Sequence, residues 1–264
     1  MDTKKRMQFF AITTYVGFII ILLLCPVAMM LGVPAEKISN YAPILGSWVS
    51  FAVLMIWSAK LLPETTRKGF IKDLFRDRLE GKQLVLSICI PVGVFLLTVL
   101  GLALITGRSI RELFIGDISG ILPVLLIDLA AGPTGEEPGW RGFFLTRAVE
   151  RKGLLKGSVI TGVVWAFWHA PLWLMQGYAP GMLVVYILSF VVAVISLSVI
   201  LGVIYTKHRN LLYCIIIHLL FNFMLKLIAI DQNEFVIALI IMAVLYTLVA
   251  TVMYTRSRKG VKDC

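Results

Sequence analysis

Apolar residues in this chain come in long blocks, not in the one-sided stripes of a soluble helix. The first block, Met7 to Ala35, runs 29 residues without a charge and follows Lys4-Lys5-Arg6. A membrane-spanning helix needs about 20 predominantly apolar residues. On that measure the chain contains eight candidate spans, at 9–33, 42–61, 84–106, 118–135, 158–175, 182–205, 211–230 and 235–255. A secretory signal has an apolar stretch of only about 7–15 residues, so the first block reads as a retained span. Gln176-Gly177-Tyr178-Ala179-Pro180-Gly181 is rich in turn formers and separates the fifth span from the sixth. No repeat is evident and no soluble domain fits between spans. The pattern predicts an all-α, polytopic helical bundle, a single integral membrane domain over residues 1–264 with its motif-bearing core at 118–230.

Charge then orients the bundle. Of the 25 Lys and Arg residues, twenty-one fall in one alternating set of segments: Lys4–Arg6, Lys60–Lys82, Arg141–Lys156, Lys207–Arg209 and Arg256–Lys262. The opposite loops hold Lys37, Arg108 and Arg111. Cytoplasmic loops carry the excess of Lys and Arg, so both termini are expected in the cytoplasm, and a missed span would scramble the alternation. Composition agrees: 59% of residues are hydrophobic and 15% charged, against about 45–50% and 25% in soluble domains. The net charge of +10 is therefore topology information and does not point to nucleic acid. Two loops carry further signals. Phe70, Ile71, Leu74, Phe75 and Leu79 recur at helical spacing among basic residues, which fits either a helix lying on the cytoplasmic leaflet or one covering the bundle's end. Ser109-Ile110-Arg111-Glu112 has the form of a capping box. The cysteines at 25, 89, 214 and 264 are scattered, without the spacing of a disulfide framework or thiolate metal site. The terminal Lys262-Asp263-Cys264 is not a C-a-a-X box.

Against this apolar background the ionisable residues at membrane depth stand out, because charge there is costly and marks function by default. They are Asp128, the Gly135-Glu136-Glu137-Pro138-Gly139-Trp140-Arg141 cluster, His169, His218 and Lys226; Asn222 adds an amide. His208, between Lys207 and Arg209, reads as ordinary surface, and Lys226 as a snorkelling lysine or a partner for Asp128. At 1.5 Å per residue, His169 lies roughly 16 Å, His218 roughly 10 Å and Asn222 roughly 16 Å from the basic ends of their spans. Glu136 and Glu137 sit at the inner end of the fourth span. Three spans thus bring carboxylates, two imidazoles and an amide to the inner half of the membrane. His218 and Asn222, four residues apart, share one helix face. Each alone has a structural explanation, as a buried hydrogen bond, an interhelical amide or a salt bridge from Glu137 to Arg141; together they favour proton-transfer chemistry. Pro138 and Gly139 are expected to break or kink the helix.

These residues resemble the CPBP family of CAAX-processing and bacteriocin-processing membrane proteases, also called the Abi family. Glu136-Glu137-Pro138-Gly139-Trp140-Arg141 fits its EExxxR motif and His218-Leu219-Leu220-Phe221-Asn222 its HxxxN motif. Trp165-Ala166-Phe167-Trp168-His169 corresponds to FxxxH with Trp165 in place of Phe, which keeps an aromatic ring and can reshape the pocket. The resemblance covers mainly 118–230 and implies an eight-helix intramembrane endopeptidase similar to type II CAAX prenyl endopeptidases. It implies Glu136 as general base, His169 as its partner in holding water, His218 and Asn222 as oxyanion donors, and Glu137 and Arg141 as supporting residues. A metal-dependent version would use Glu136, His169 and His218 as zinc ligands; a metal-free glutamate mechanism needs no cofactor. The implied substrate is a hydrophobic or lipidated peptide or protein at the cell membrane, of CAAX or bacteriocin type, with lipids as surroundings and no obligate protein partner. Two other readings remain open: a non-catalytic immunity or regulatory protein of the same fold, and a proton-coupled transporter, which the lack of a repeat disfavours.

Overall fold

The computed structural model describes residues 1–117 and 119–262, with side chains through Arg258. Ile118, the first residue of the expected fourth span, and Asp263-Cys264 of the terminal tripeptide lie outside the described residues. In chain order the α-helices are α1 Thr3–Met30, α2 Ala35–Ile56, α3 Ser58–Leu61, α4 Arg67–Leu74, α5 Gly81–Thr106, α6 Ile110–Leu113, α7 Ile121–Ala130, α8 Pro133–Glu137, α9 Thr146–Lys152, α10 Leu154–Trp168, α11 Ala170–Leu174, α12 Pro180–Lys207, α13 Leu212–Phe223 and α14 Gln232–Lys262. A π-helical segment, Pro138–Leu145, joins α8 to α9, and a 3₁₀ turn, Met224–Leu227, follows α13. Among the described residues no strand forms beyond the isolated bridges Phe75–Asn210 and Phe114–Ile228.

Five helices, Thr3–Met30, Ala35–Ile56, Gly81–Thr106, Pro180–Lys207 and α14 from Gln232 to Arg258, are long and apolar enough to cross a membrane. They form the frame: α12 packs on α10 and α14, α14 on α5, α5 on α13, and α1 on α2. The expected fourth, fifth and seventh spans are short or interrupted, and these bear the motifs. Backbone of that kind survives at membrane depth only where protein buries it or where it lines a cavity.

The largest departure from the sequence pattern concerns the fourth span. Helix α7 ends at Ala130, the chain breaks at Ala131-Gly132, and one helical run then continues from Pro133 to Lys152. Pro138 and Gly139 do not end this run. Pro138 has no N–H and its ring clashes with the carbonyl one α-turn back, and here the chain takes the wider π register. The break falls upstream, where α2 supplies the missing partners. Trp48 Nε1 donates to the Ala130 carbonyl at 2.8 Å, and Ser50 Oγ to the Gly135 carbonyl at 2.9 Å. Gly135 permits this approach, since a Cβ there would stand 2.9 Å from the Ser47 backbone.

Arg141, expected among the cytoplasmic loop charges, is instead fully buried inside this run; the remaining bias is unchanged in direction. His208 is not plain surface either. It stands 3.4 Å from Glu80 with its side chain 13% exposed and packs edge-on against Tyr213. The basic loop after α2 covers the bundle's end. Phe70 and Leu74 of α4 are buried in the core, while Ile71, Phe75 and Leu79 stay exposed. Ser109 and Glu112 form the expected capping box at α6.

Lys226 and Asp128 pair at 2.5 Å, tying the turn after α13 to α7. The aspartate is almost buried and the lysine half exposed. Lys226→Met is expected to destabilise the protein by about 1–3 kcal/mol, the cost of leaving the nearly buried Asp128 carboxylate without its partner. Adding Asp128→Asn should recover part of that loss, because the stranded charge goes. Thermal unfolding of the two single variants and the double variant in detergent measures the coupling.

Candidate active site

The run from Pro133 to Lys152 sets the depth of the carboxylates. Glu136 lies sixteen residues before Lys152, about 24 Å at the α-helical rise and somewhat less across the π turn. His169 lies fifteen residues after Leu154, about 22 Å from the same end. The N-terminus of α13 starts deeper, since Arg209 Nη1 reaches Thr146 Oγ1 at 3.3 Å; His218 therefore arrives at the level of Glu137. Ser50 Oγ meets the Gly135 and Glu136 carbonyls six residues before α2 ends at Ile56, so Glu136 packs beside the part of α2 nearer the basic loops.

Glu136, Trp165, His169, His218 and Asn222 line one cavity of about 670 Å³. Glu137 and Arg141 stand behind it with no exposed surface. Trp165 connects the group. Its indole Nε1–H donates to Glu136 Oε2 at 2.7 Å, and its backbone carbonyl lies 2.9 Å from His169 Nδ1. Its ring carries the Arg141 guanidinium 3.8 Å from the centroid and meets the His218 ring edge-on at 5.0 Å. A carbonyl can only accept, so His169 Nδ1 holds a proton and neutral His169 has its lone pair on Nε2. Tryptophan at 165 therefore supplies an N–H that phenylalanine lacks, a contact not legible from the motif. Trp165→Phe keeps the ring and removes that donor. It is expected to lower turnover about 10- to 100-fold, from loss of a charged hydrogen bond of about 1.5–3 kcal/mol. Single-turnover rates with substrate affinity measured separately check this.

Glu137 ties the second half together. Its Oε1 is 2.7 Å from His218 Nδ1 and its Oε2 is 3.2 Å from Arg141 Nε, the expected i, i+4 pair. All three side chains are 0–3% exposed. A buried ion must be paired, and this carboxylate satisfies a cation and an imidazole at once. Among the described residues Arg141 Nη1 and Nη2 have no hydrogen-bond partner, and the indole face is their principal contact. Asn222 faces the chain break: a Cβ at Gly132 would come 3.1 Å from its Nδ2. A glycine there leaves the amide its place.

The contribution of the first two helices was missed. Ser47, Trp48 and Ser50 hold the interrupted backbone, and Phe18, Leu22 and Ile38 help form the cavity wall. They are ordinary membrane-helix residues, and no sequence signal distinguishes them.

Catalytic zinc takes three protein donors and keeps one position open. Among the described residues no three His, Cys, Asp or Glu side chains stand together in a way that could hold one ion. Glu136 has one oxygen engaged by Trp165, and His218 is drawn toward Glu137. The donors as placed do not fit a metal, and no step below is routed through one.

A family model described as Rce1-like, type II CAAX prenyl endopeptidase, matches residues 118–224. The chain is also similar to a protein named CAAX prenyl protease 2 from Methanococcus maripaludis. The two are 31% identical over 202 residues, which covers 73% of this chain and 74% of that one. The segment matched by the family model contains all the residues of the cluster.

Proposed function

This chain belongs to the CAAX-protease (CPBP) family, on its Rce1-like side, and from that premise we propose that it is an intramembrane endopeptidase with Glu136 as general base. The observation that carries the reading is the division of labour around Trp165. Glu136 has Oε2 fixed by the indole and Oε1 free, and His169 has Nδ1 fixed by the carbonyl and Nε2 free. A water donating one hydrogen to each free acceptor presents its lone pair outward, toward a substrate carbonyl. Glu136 then takes the proton as the C–O bond forms, and the tetrahedral oxyanion needs donors. Asn222 Nδ2 is one. His218 is the other when its ring carries both protons, with Nδ1–H on Glu137 and Nε2–H on the oxyanion. That form also balances the buried charge: two carboxylates against Arg141 and an imidazolium. The proton on Glu136 finally passes to the leaving amine.

The cavity wall supports an apolar substrate segment. Leu22, Met29, Ile38, Leu172 and Phe190 contribute to it, and such pockets bind hydrophobic groups with few polar contacts. A peptide carrying a prenyl or other lipid beside the cleaved bond fits that chemistry, and the relative's printed name points the same way. The location that goes with it is the cell membrane. The test is purified protein in proteoliposomes with lipidated CAAX peptides and bacteriocin-leader peptides. Cleavage by the wild type, lost in Glu136→Gln and retained in the presence of 1,10-phenanthroline, is the expected result. Loss with the chelator and recovery with zinc would instead favour the metal-dependent version. Cleavage that persists in Glu136→Gln defeats the assignment of the base.

A further inference from the structure

At the basic end of the bundle α1, α9 and α10 enclose another cavity, which shares no lining residue with the site of Glu136. Its volume is about 380 Å³, within the range of about 300–1,000 Å³ for ligand clefts. Each helical run contributes one face. Lys4, Gln8 and Ala11 of α1 recur at helical spacing. Lys152, Ala148 and Phe144 descend in steps of four along the run that ends in α9, with Arg151 beside Lys152, and α10 adds Ile160 and Val164. Polarity falls in the same direction on both charged faces. Lys4 and Ala11 are seven residues apart and Lys152 and Phe144 eight, so the cations stand about 10–12 Å along the axis from an apolar floor. Phe144 and Ala148 are buried there, while Lys4, Arg151 and Lys152 are exposed. Tyr15 Oη donates to the Val164 carbonyl at 2.5 Å and holds α1 against α10.

Among the described residues no carboxylate forms a salt bridge with Lys4, Arg151 or Lys152. Asp2 comes near Arg151, but its carboxylate caps α1 and accepts from the Lys5 amide at 2.8 Å. A charge bias between the two sides of a membrane needs cations in the loops; it does not need three of them gathered above one apolar groove. We propose that this groove binds an anionic phospholipid, with the phosphate among Lys4, Arg151 and Lys152 and one acyl chain along Ala11, Phe144 and Ile160. Basic pockets between membrane helices suit such headgroups. Ile160 is exposed on the outer wall, so a chain can enter sideways from hydrocarbon. A soluble anion would leave the apolar floor uncovered, and a zwitterionic lipid would bring its own cation to the other three. The floor also backs the aromatic packing behind the cluster: Phe144 lies 6.1 Å from Trp140, and Trp140 lies 6.0 Å from Trp168. A bound chain completes that packing. Such binding is independent of peptidase activity and of which leaflet meets the basic end.

The test uses the full chain, purified and delipidated in a neutral detergent. It is titrated with dioleoyl phosphatidylglycerol, dioleoyl phosphatidylcholine and glycerol phosphate, with bound lipid counted by native mass spectrometry and unfolding temperature measured alongside. Phosphatidylglycerol is expected to bind more tightly than phosphatidylcholine and to raise the unfolding temperature, as a ligand of the folded state does. Lys4→Gln, Arg151→Gln and Lys152→Gln together should weaken its binding about 100-fold, at about fivefold for each cation. Ala11→Trp and Ile160→Trp fill the groove and keep the cations. Each should weaken binding at least about tenfold, since one methylene kept out of the groove is worth about fourfold. Lys68→Gln, Lys72→Gln and Lys82→Gln together remove three exposed lysines elsewhere in the basic loops and should leave binding nearly unchanged. Equal binding of the two lipids overturns the proposal. So does an equal loss in the Lys68, Lys72 and Lys82 variant, which would mean diffuse attraction to the whole basic end. Binding undiminished in both tryptophan variants, or stabilisation by glycerol phosphate equal to that by phosphatidylglycerol, excludes the acyl chain from the groove and overturns it as well.

Discussion

Glu136→Gln is expected to reduce peptide-bond cleavage by about 10²–10⁴-fold, the usual contribution of a positioned general base. The substitution suits the question because the glutamine carbonyl still accepts the Trp165 indole hydrogen at the position of Oε2. Size and fold are retained while the proton acceptor is lost. Cleavage should be followed at saturating substrate, where a lost transition-state interaction lowers turnover and leaves affinity nearly unchanged. Unfolding temperature serves as the control and should move by no more than a few degrees. His169→Ala is expected to fall in the same range, because the proposed water loses its second acceptor. If Glu136→Gln keeps turnover within tenfold of the wild type, the base lies elsewhere, and His169 with its free Nε2 becomes the first candidate.

The second large effect is on stability. Arg141→Met removes the guanidinium that faces Glu137 and leaves a carboxylate with no exposed surface paired with the His218 ring alone among the described residues. Breaking a buried ion pair from one side costs about 3–5 kcal/mol. Methionine fills much of the aliphatic volume, so the loss reports charge more than packing. Arg141→Met is therefore expected to lower unfolding temperature sharply. The double variant Arg141→Met, Glu137→Gln should be more stable than Arg141→Met alone, since the stranded charge has gone while His218 keeps an amide oxygen for Nδ1. Thermal or denaturant unfolding of the four proteins of this cycle in one detergent gives the coupling. A double variant no more stable than the single one would show that Arg141 acts through its stacking on Trp165, not through the charge of Glu137.

Both expectations join residues that the sequence pairs only in part. Glu137 and Arg141, four apart on one helix, were legible as a salt bridge from spacing. The link from Glu137 to His218 spans 81 residues, and the donation from Trp165 to Glu136 spans 29. Neither has a local signal, because each depends on how separate helices pack. The π-helical segment was not legible either. Proline and glycine at 138 and 139 announce a disturbance of the α-helix but do not say whether the chain will stop or widen its register. That choice rests on α2, whose Trp48 and Ser50 satisfy the carbonyls at the upstream break.

The sequence by itself determined the class of this protein and its inventory of chemistry. Uncharged apolar blocks of spanning length permit only helices in lipid, because every backbone polar group must be satisfied within the segment. The few ionisable residues left inside those blocks are costly enough that their identity narrows the function. Tertiary structure alone decided which helices wall the cavity around the cluster and which nitrogen of each histidine is engaged. The backbone break at Ala131-Gly132, held by hydrogen bonds from a different helix, is likewise a tertiary feature. The change from the apolar run 121–131 to Thr134-Gly135-Glu136-Glu137 is visible in the sequence, but it does not say that the chain breaks at Ala131-Gly132 and resumes at once as a helix.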